Sequence, residues 1–279
     1  FYLALFLSLS CFAQRKACFN PTTTHTLFSS TLGEERNYWV SLPLRYTDTI
    51  AYPVIYVLDA EWRFDLVKHI AFDLGMHNKI EPSIIVGIPH VDYAHKRIVD
   101  LTFGPSCTDY DGRPIDSTWY NENNSGGALD FYRYLTTELI PHVEEQYATN
   151  DHRTLIGHSF GGYFGGYLLS LSHPFSVIHL YDPSLWYNDG EVGERFQETV
   201  VHQPVTVYLT YQPEPVFHRN KVQKFIQALE ASPNIAVTAH CYEEECHNSL
   251  FLDSFYKGIQ VTNPATPSNR RLLRNSGME

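Results

Sequence analysis

Residues 155 to 162, Leu155-Ile156-Gly157-His158-Ser159-Phe160-Gly161-Gly162, run an apolar segment straight into Gly-x-Ser-x-Gly. Tyr163, Phe164, Tyr167, Leu168 and Leu169 then recur at helical spacing. A strand, a sharp turn and a helix in that order lift a serine hydroxyl above the end of a sheet, the setting of a nucleophile elbow. So tight a turn brings helix and strand backbones together, and a side chain at Gly157 or Gly161 is expected to clash there. The five-residue pattern is common by itself. The flanking strand and helix give it weight and predict serine-hydrolase chemistry at Ser159.

A serine hydroxyl is a poor nucleophile until a base takes its proton. On this kind of scaffold the partners follow in the order serine, acid, histidine. Among 14 histidines, His247 has the right context. It follows the strand-like run Ile235-Ala236-Val237-Thr238-Ala239 and precedes Leu250, Phe251, Phe255 and Ile259, which read as a final helix. His158 adjoins the nucleophile inside the turn and is expected to support it rather than serve as base. The acid is expected in the loop after Val205-Thr206-Val207-Tyr208-Leu209-Thr210, a strand of alternating β-branched and aromatic residues. That places Glu214 as the residue that orients His247, with Asp182 as the alternative one strand earlier. Glu243 to Glu245 read as solvated loop charges.

The elements that must position these residues alternate strand with helix. Strands are expected at 54–58, 83–88, 153–157 and 176–181, with a helix over 62–74 and another after the elbow. Such alternation predicts an α/β fold, a mostly parallel sheet covered by helices on both faces. Residues 24–43 predict an antiparallel pair of strands joined at Gly33-Glu34-Glu35-Arg36. The long stretch 89–127 reads as irregular and pocket-shaping. Asp109-Tyr110-Asp111-Gly112 within it reads as a turn, because the remaining spacing of a calcium loop is missing. A single catalytic domain over 24–262 is expected, with a polar, disordered tail over 263–279.

The net charge of −11 argues against nucleic acid or an anionic membrane surface as partner. The apolar run from Phe1 to Ala13 is too short to span a bilayer, and its small-x-small end at Cys11 and Ala13 resembles a secretion signal. Cleavage after Ala13 and an exported protein, without stable membrane insertion once the signal is removed, are the expectations. Export permits disulfides among Cys18, Cys107, Cys241 and Cys246, and the sequence selects none of their three pairings. No spacing suited to zinc occurs, so neither metal nor other cofactor is expected.

These segments resemble the putative-esterase family of α/β-hydrolases over about residues 24 to 262, with trilactone siderophore esterases as the nearest branch. The resemblance rests on Tyr38-Trp39-Val40-Ser41-Leu42-Pro43, Tyr56-Val57-Leu58-Asp59-Ala60 and Arg97-Ile98-Val99-Asp100-Leu101-Thr102. It rests equally on Ser125-Gly126-Gly127-Ala128, Arg153-Thr154-Leu155-Ile156, Pro183-Ser184-Leu185-Trp186 and His247-Asn248-Ser249. It implies an α/β-hydrolase fold and an oxyanion hole built from backbone N–H groups of Phe160, Ala60 and Glu61. Ala60 stands where the family usually has glycine, which leaves a backbone donor in place. The resemblance also sets Arg97 and Trp186 on the substrate side, with Arg97 and Asp100 expected as an ion pair. The activity implied is hydrolysis of a small-molecule or glycan-linked ester through an acyl-enzyme. Acyl transfer to an alcohol, or an inactive binding module on the same fold, are the alternatives.

Overall fold

The computed structural model describes residues 21–266. The expected signal segment, Cys18 and the tail from residue 267 lie outside the described residues. The strands are β1 (Thr23–Ser29), β2 (Glu34–Ser41), β3 (Tyr52–Leu58), β4 (Ile84–Ile88), β5 (Thr149–His158), β6 (Val177–Tyr181), β7 (Val205–Tyr211) and β8 (Ile235–Cys241). They form one sheet in the order β1-β2-β4-β3-β5-β6-β7-β8. β1 and β2 are the antiparallel opening, joined through Gly33 at φ 68°, and β2 lies antiparallel to β4. Every pairing from β4 across to β8 is parallel.

The helices are α1 (Ala60–Met76), α2 (Tyr93–Leu101), α3 (Ala128–Arg133), α4 (Ile140–Gln146), α5 (Phe160–Leu168), α6 (Glu191–Gln197), α7 (Val216–Glu230) and α8 (Leu250–Thr262). A π-helical stretch, Tyr134–Leu139, joins α3 to α4. The central strands β3, β4 and β6 are buried along their whole length, and successive residues enter different cores. In β3, Val54, Tyr56 and Leu58 pack with α5, α6, α7 and the α3–α4 helix, while Ile55 and Val57 pack with α1 and α8. That two-sided burial is what a parallel sheet with helices on both faces requires. At about 1.5–3 kcal/mol per buried large aliphatic side chain, it supplies the main force holding the layers together.

Two expectations are corrected. The stretch 89–127 is not irregular throughout: α2 lies inside it, started by Asp92, whose carboxylate accepts from the Ala94 N–H at 3.1 Å. The tail is ordered at its start, because Asn263 is buried and its side-chain amide donates to Ser83 Oγ at 3.0 Å. The Asp109–Gly112 segment is a turn, with Asp109 Oδ1 accepting from the Asp111 and Arg113 N–H groups. Among the described residues, Cys107, Cys241 and Cys246 form no disulfide.

Strand order reverses between β3 and β5, so the loops leaving their carboxyl ends part and open a crevice. Ligands of open α/β sheets bind at such a switch point.

Candidate active site

Three adjacent strands deliver the chemistry in one manner. The residue directly after β3 is Asp59, after β5 Ser159 and after β6 Asp182, and all three have positive φ, at 52°, 59° and 40°. Non-glycine residues seldom adopt this conformation, and when they do at strand ends they commonly mark a site where the chain must turn sharply to present a side chain.

Ser159 has φ 59° and ψ −119°, and its backbone is pinned on both sides. Its N–H donates to Tyr181 O at 3.0 Å, and its carbonyl accepts from Tyr163 N–H and Ser184 N–H at 2.9 and 3.0 Å. A Cβ at Gly157 would lie 2.1 Å from the Gly161 carbonyl oxygen, so only glycine fits there. The clash expected at Gly161 is not found, since a Cβ there meets nothing nearer than 3.4 Å. The second crowded position is Gly162, where a Cβ would lie 2.8 Å from Pro183. Ser159 Oγ rests 3.3 Å from Ser184 Oγ.

His247 lies in the loop between β8 and α8. Its Nδ1 donates to Asp182 Oδ2 at 2.6 Å, and its own carbonyl accepts from His158 Nε2 at 2.6 Å. His158 therefore takes a supporting place, clamping the loop that carries His247. Burial, then the neighbouring His247 and Arg63 charges, hold its pKa down at about 3. Its neutral ring donates through Nε2 and accepts at Nδ1 from Arg63 at 3.2 Å.

The acid partner of His247 is Asp182, not Glu214. Glu214 is exposed in the loop after β7 and makes no hydrogen bond with His247. The reason is where the chain turns. β6 ends in a tight Asp182-Pro183 corner whose carboxylate points along the strand end. The loop after β7 instead sends its backbone to Asp182, with Gln212 N–H donating to Oδ1 at 3.0 Å. Burial by itself would raise the Asp182 carboxyl, but hydrogen bonds from His218 and His247 hold it well below the usual carboxylate range.

His218 went unread in the sequence. It lies on α7 and its Nε2 donates to Asp182 Oδ1 at 2.9 Å. A signal existed: His218, Val222, Phe225 and Leu229 form the buried stripe of α7, and a polar ring at a core position calls for a partner.

Two cavities meet at Ser159 and His247. One of about 380 Å³ is walled by Tyr110, Phe160, Trp186, Ser184, Gln212 and His218. The other, about 490 Å³, is walled by Trp62, Arg63, Tyr93, Arg97, Asp59 and Asn248. Trp186 and Arg97 thus line different cavities, each of which reaches Ser159. The Ala60 and Glu61 N–H groups open α1, and the Phe160 N–H opens α5. Helix geometry leaves such first-turn donors unpaired, and the helix dipole adds partial positive charge.

The expected Arg97–Asp100 pair does not form. Arg97 grips Asp59 through Nε and Nη2 at 2.6 and 2.8 Å. Asp100 is gripped by Arg36 at 2.6 and 2.9 Å. Buried His90 bridges the two carboxylates, with Nδ1 2.9 Å from Asp100 and Nε2 3.2 Å from Asp59. Burial works to lower the His90 pKa, but the two carboxylates more than offset it and raise it to about 9. Asp59 and Asp100 are held below their ordinary value of 3.8 by these cations, against the opposing effect of burial.

The network has a signed effect on stability. A histidine whose pKa rises on folding stabilises fully below its unfolded value of 6.5, and that contribution disappears as pH climbs through about 9. The depressed carboxylates contribute above 3.8 and lose their contribution as pH falls through their folded values. The network's contribution is therefore greatest between these limits. Denaturant unfolding should show stability declining from pH 6.5 to 9, and the His90 ring should stay protonated at neutral pH by NMR. A His90 titration midpoint near 6.5 would refute this account.

This fold and this strand–turn–helix serine define a serine carboxylic-ester hydrolase of the α/β-hydrolase class. Residues 29–178, more than half of the chain, match the Esterase family, described as Putative esterase, and the chain belongs to that family. It is 26% identical over 214 residues to the ferri-bacillibactin esterase BesA of Bacillus subtilis, a match covering 71% of this chain and 73% of the relative. An IroE-like serine hydrolase from Shewanella oneidensis superposes with a TM-score of 0.77 at 28% identity, over 86% of this chain and 79% of that one. The BES protein from Bacillus cereus superposes with a TM-score of 0.74 at 23% identity, over 90% and 98% of the two chains.

Proposed function

We propose that this chain is an exported esterase that cleaves a siderophore-type lactone through an acyl-enzyme, with Ser159, His247 and Asp182 as its triad. The observation that carries the reading is the 2.6 Å contact from Asp182 to His247 Nδ1, in a cleft that His247 shares with Ser159. Because Asp182 occupies Nδ1, the other ring nitrogen, Nε2, is the one that serves the nucleophile.

Ser159 Oγ attacks the ester carbonyl while His247 Nε2 takes its proton. The carbonyl oxygen becomes an oxyanion, received by the N–H groups of Phe160, Ala60 and Glu61. The ester C–O bond then breaks, and His247 returns the proton to the departing alcohol. Water attacks the acyl-enzyme by the same route, releasing the acid and restoring Ser159.

The substrate class draws on the relative's printed activity and on the 490 Å³ cavity. Trp62 and Tyr93 are exposed at its rim, with ring centroids 6.0 Å apart. Arg97 is neutralised by Asp59, whereas Arg63 has no ion-pair partner among the described residues and lies 4.3 Å over the Phe251 ring. Aromatic faces and a guanidinium without a carboxylate partner among the described residues suit an anionic, aryl-bearing ester. The export part of this proposal is supported by the apolar run ending at Ala13.

The test compares an aryl-bearing trilactone with a neutral p-nitrophenyl ester, using wild type and Arg63→Leu. The lactone should be preferred by wild type, and Arg63→Leu should lower its kcat/KM by about tenfold or more, the scale of one lost charge-assisted hydrogen bond. The neutral ester should lose less, its loss set only by how far the Arg63–His158 hydrogen bond supports the loop that carries His247. Equal loss on both esters, or no cleavage of the lactone by wild type, would refute the substrate assignment.

A further inference from the structure

We infer that His218 is a positioning residue for the reaction at Ser159: it locks the Asp182 carboxylate in the rotation that aims Oδ2 at His247. This rests on Asp182 being the acid of the triad.

The carboxylate is held at both oxygens. Oδ1 accepts from His218 Nε2 at 2.9 Å and from Gln212 N–H at 3.0 Å. Oδ2 is thereby left for His247 Nδ1 at 2.6 Å. The torsion that spins an aspartate carboxylate is broad and soft, so its setting comes from donors rather than from intrinsic preference. The Gln212 N–H is a single anchor on one oxygen. The His218 ring, fixed to a helix packed on the sheet, is the second anchor that suppresses rotation.

Apolar packing does not account for an imidazole at this position. His218 is 3% exposed on a stripe otherwise made of Val222, Phe225 and Leu229. Its Nδ1 is buried without a hydrogen-bond partner among the described residues. A buried, unpartnered polar atom carries a desolvation cost that an apolar side chain of similar size avoids. What the ring supplies in exchange is the donor on Asp182. His218 also walls the cavity that holds Ser159, close enough for its loss to be felt in the chemistry and not only in the packing.

The experiment uses the full chain and a neutral chromogenic ester, with Ser159→Ala and Asp182→Asn as references. His218→Leu should lower kcat by about 10- to 100-fold, as expected when a catalytic group drifts by about an ångström. KM should stay near wild type, and Tm should fall, because leucine leaves a buried carboxylate with one donor fewer. His218→Gln, whose amide N–H reaches Oδ1, should recover most of the rate. Should the leucine variant not fold, His218→Asn, polar but too short to reach Oδ1, carries the same expected loss. Wild-type kcat in the leucine or asparagine variant overturns the inference, as does a glutamine variant that falls equally far. If Ser159→Ala and Asp182→Asn are inactive while His218→Leu is unimpaired, the triad stands and only the positioning role falls. If the two reference variants are fully active, the triad itself is wrong.

Discussion

Ser159→Ala should lower kcat by about a millionfold, the scale seen when the nucleophile of a serine hydrolase is removed. Some rate above that in water should persist, because the oxyanion donors and the cavities remain. The variant should fold as wild type does. Ser159 occupies φ 59°, ψ −119°, and alanine carries the same Cβ into that conformation, so backbone strain is unchanged. Its N–H and carbonyl bonds to Tyr181, Tyr163 and Ser184 all use the main chain and survive the substitution. Single-turnover kinetics on a p-nitrophenyl ester and a melting curve measure both halves. A variant that keeps even a hundredth of the wild-type rate would show that another group attacks the carbonyl. Ser184 would then be examined first, since its Oγ is 3.3 Å away.

Asp182→Asn should lower kcat by about 10⁴-fold, whereas Glu214→Gln should leave it within about twofold. Asp182 is buried, ionised and 2.6 Å from His247 Nδ1. It fixes the tautomer that leaves Nε2 free to accept a proton, and it stabilises the imidazolium that forms in the transition state. Asparagine keeps the shape but removes the charge and presents an N–H where an acceptor is needed. Glu214 is exposed and has no such geometry to lose. Steady-state kinetics on the two variants side by side decide the matter. A collapse in Glu214→Gln with Asp182→Asn intact would reverse the assignment.

The strand-by-strand logic explains how near the sequence reading came. Gly157, Ser159 and the helical run after them are local, and a local turn of this tightness leaves a mark in residue types. His247 was legible because a β-branched run precedes it and an amphipathic segment follows it. The acid lies one strand earlier than the sequence pattern suggests. Both β6 and β7 end in a loop bearing a carboxylate, and only the spatial order of strand ends tells which carboxylate faces the histidine. α2 leaves little mark in the sequence because it is short and only Asp100 and Leu101 are buried on it. Its start was nevertheless marked, since Asp92 is a residue type that caps helices.

The charges around the site teach the same lesson. Arg97 and Asp100 stand three residues apart on one helix, a spacing at which opposite charges commonly meet. Each instead takes a partner remote in sequence, Asp59 and Arg36 respectively, and buried His90 ties the two pairs together. In a buried setting the pairing that satisfies the most donors and acceptors at once prevails over the pairing nearest in sequence.

The amino-acid sequence by itself determined the layered α/β architecture, the tight turn that presents Ser159 and the last loop that carries His247, because hydrophobic period and turn chemistry are written in neighbouring residues. Only the tertiary structure decided that Asp182 orients His247, that His218 grips Asp182, and that Arg97 binds Asp59. Those choices depend on which strand ends lie side by side, and hydrogen bonds reach about 3 Å whatever the separation along the chain.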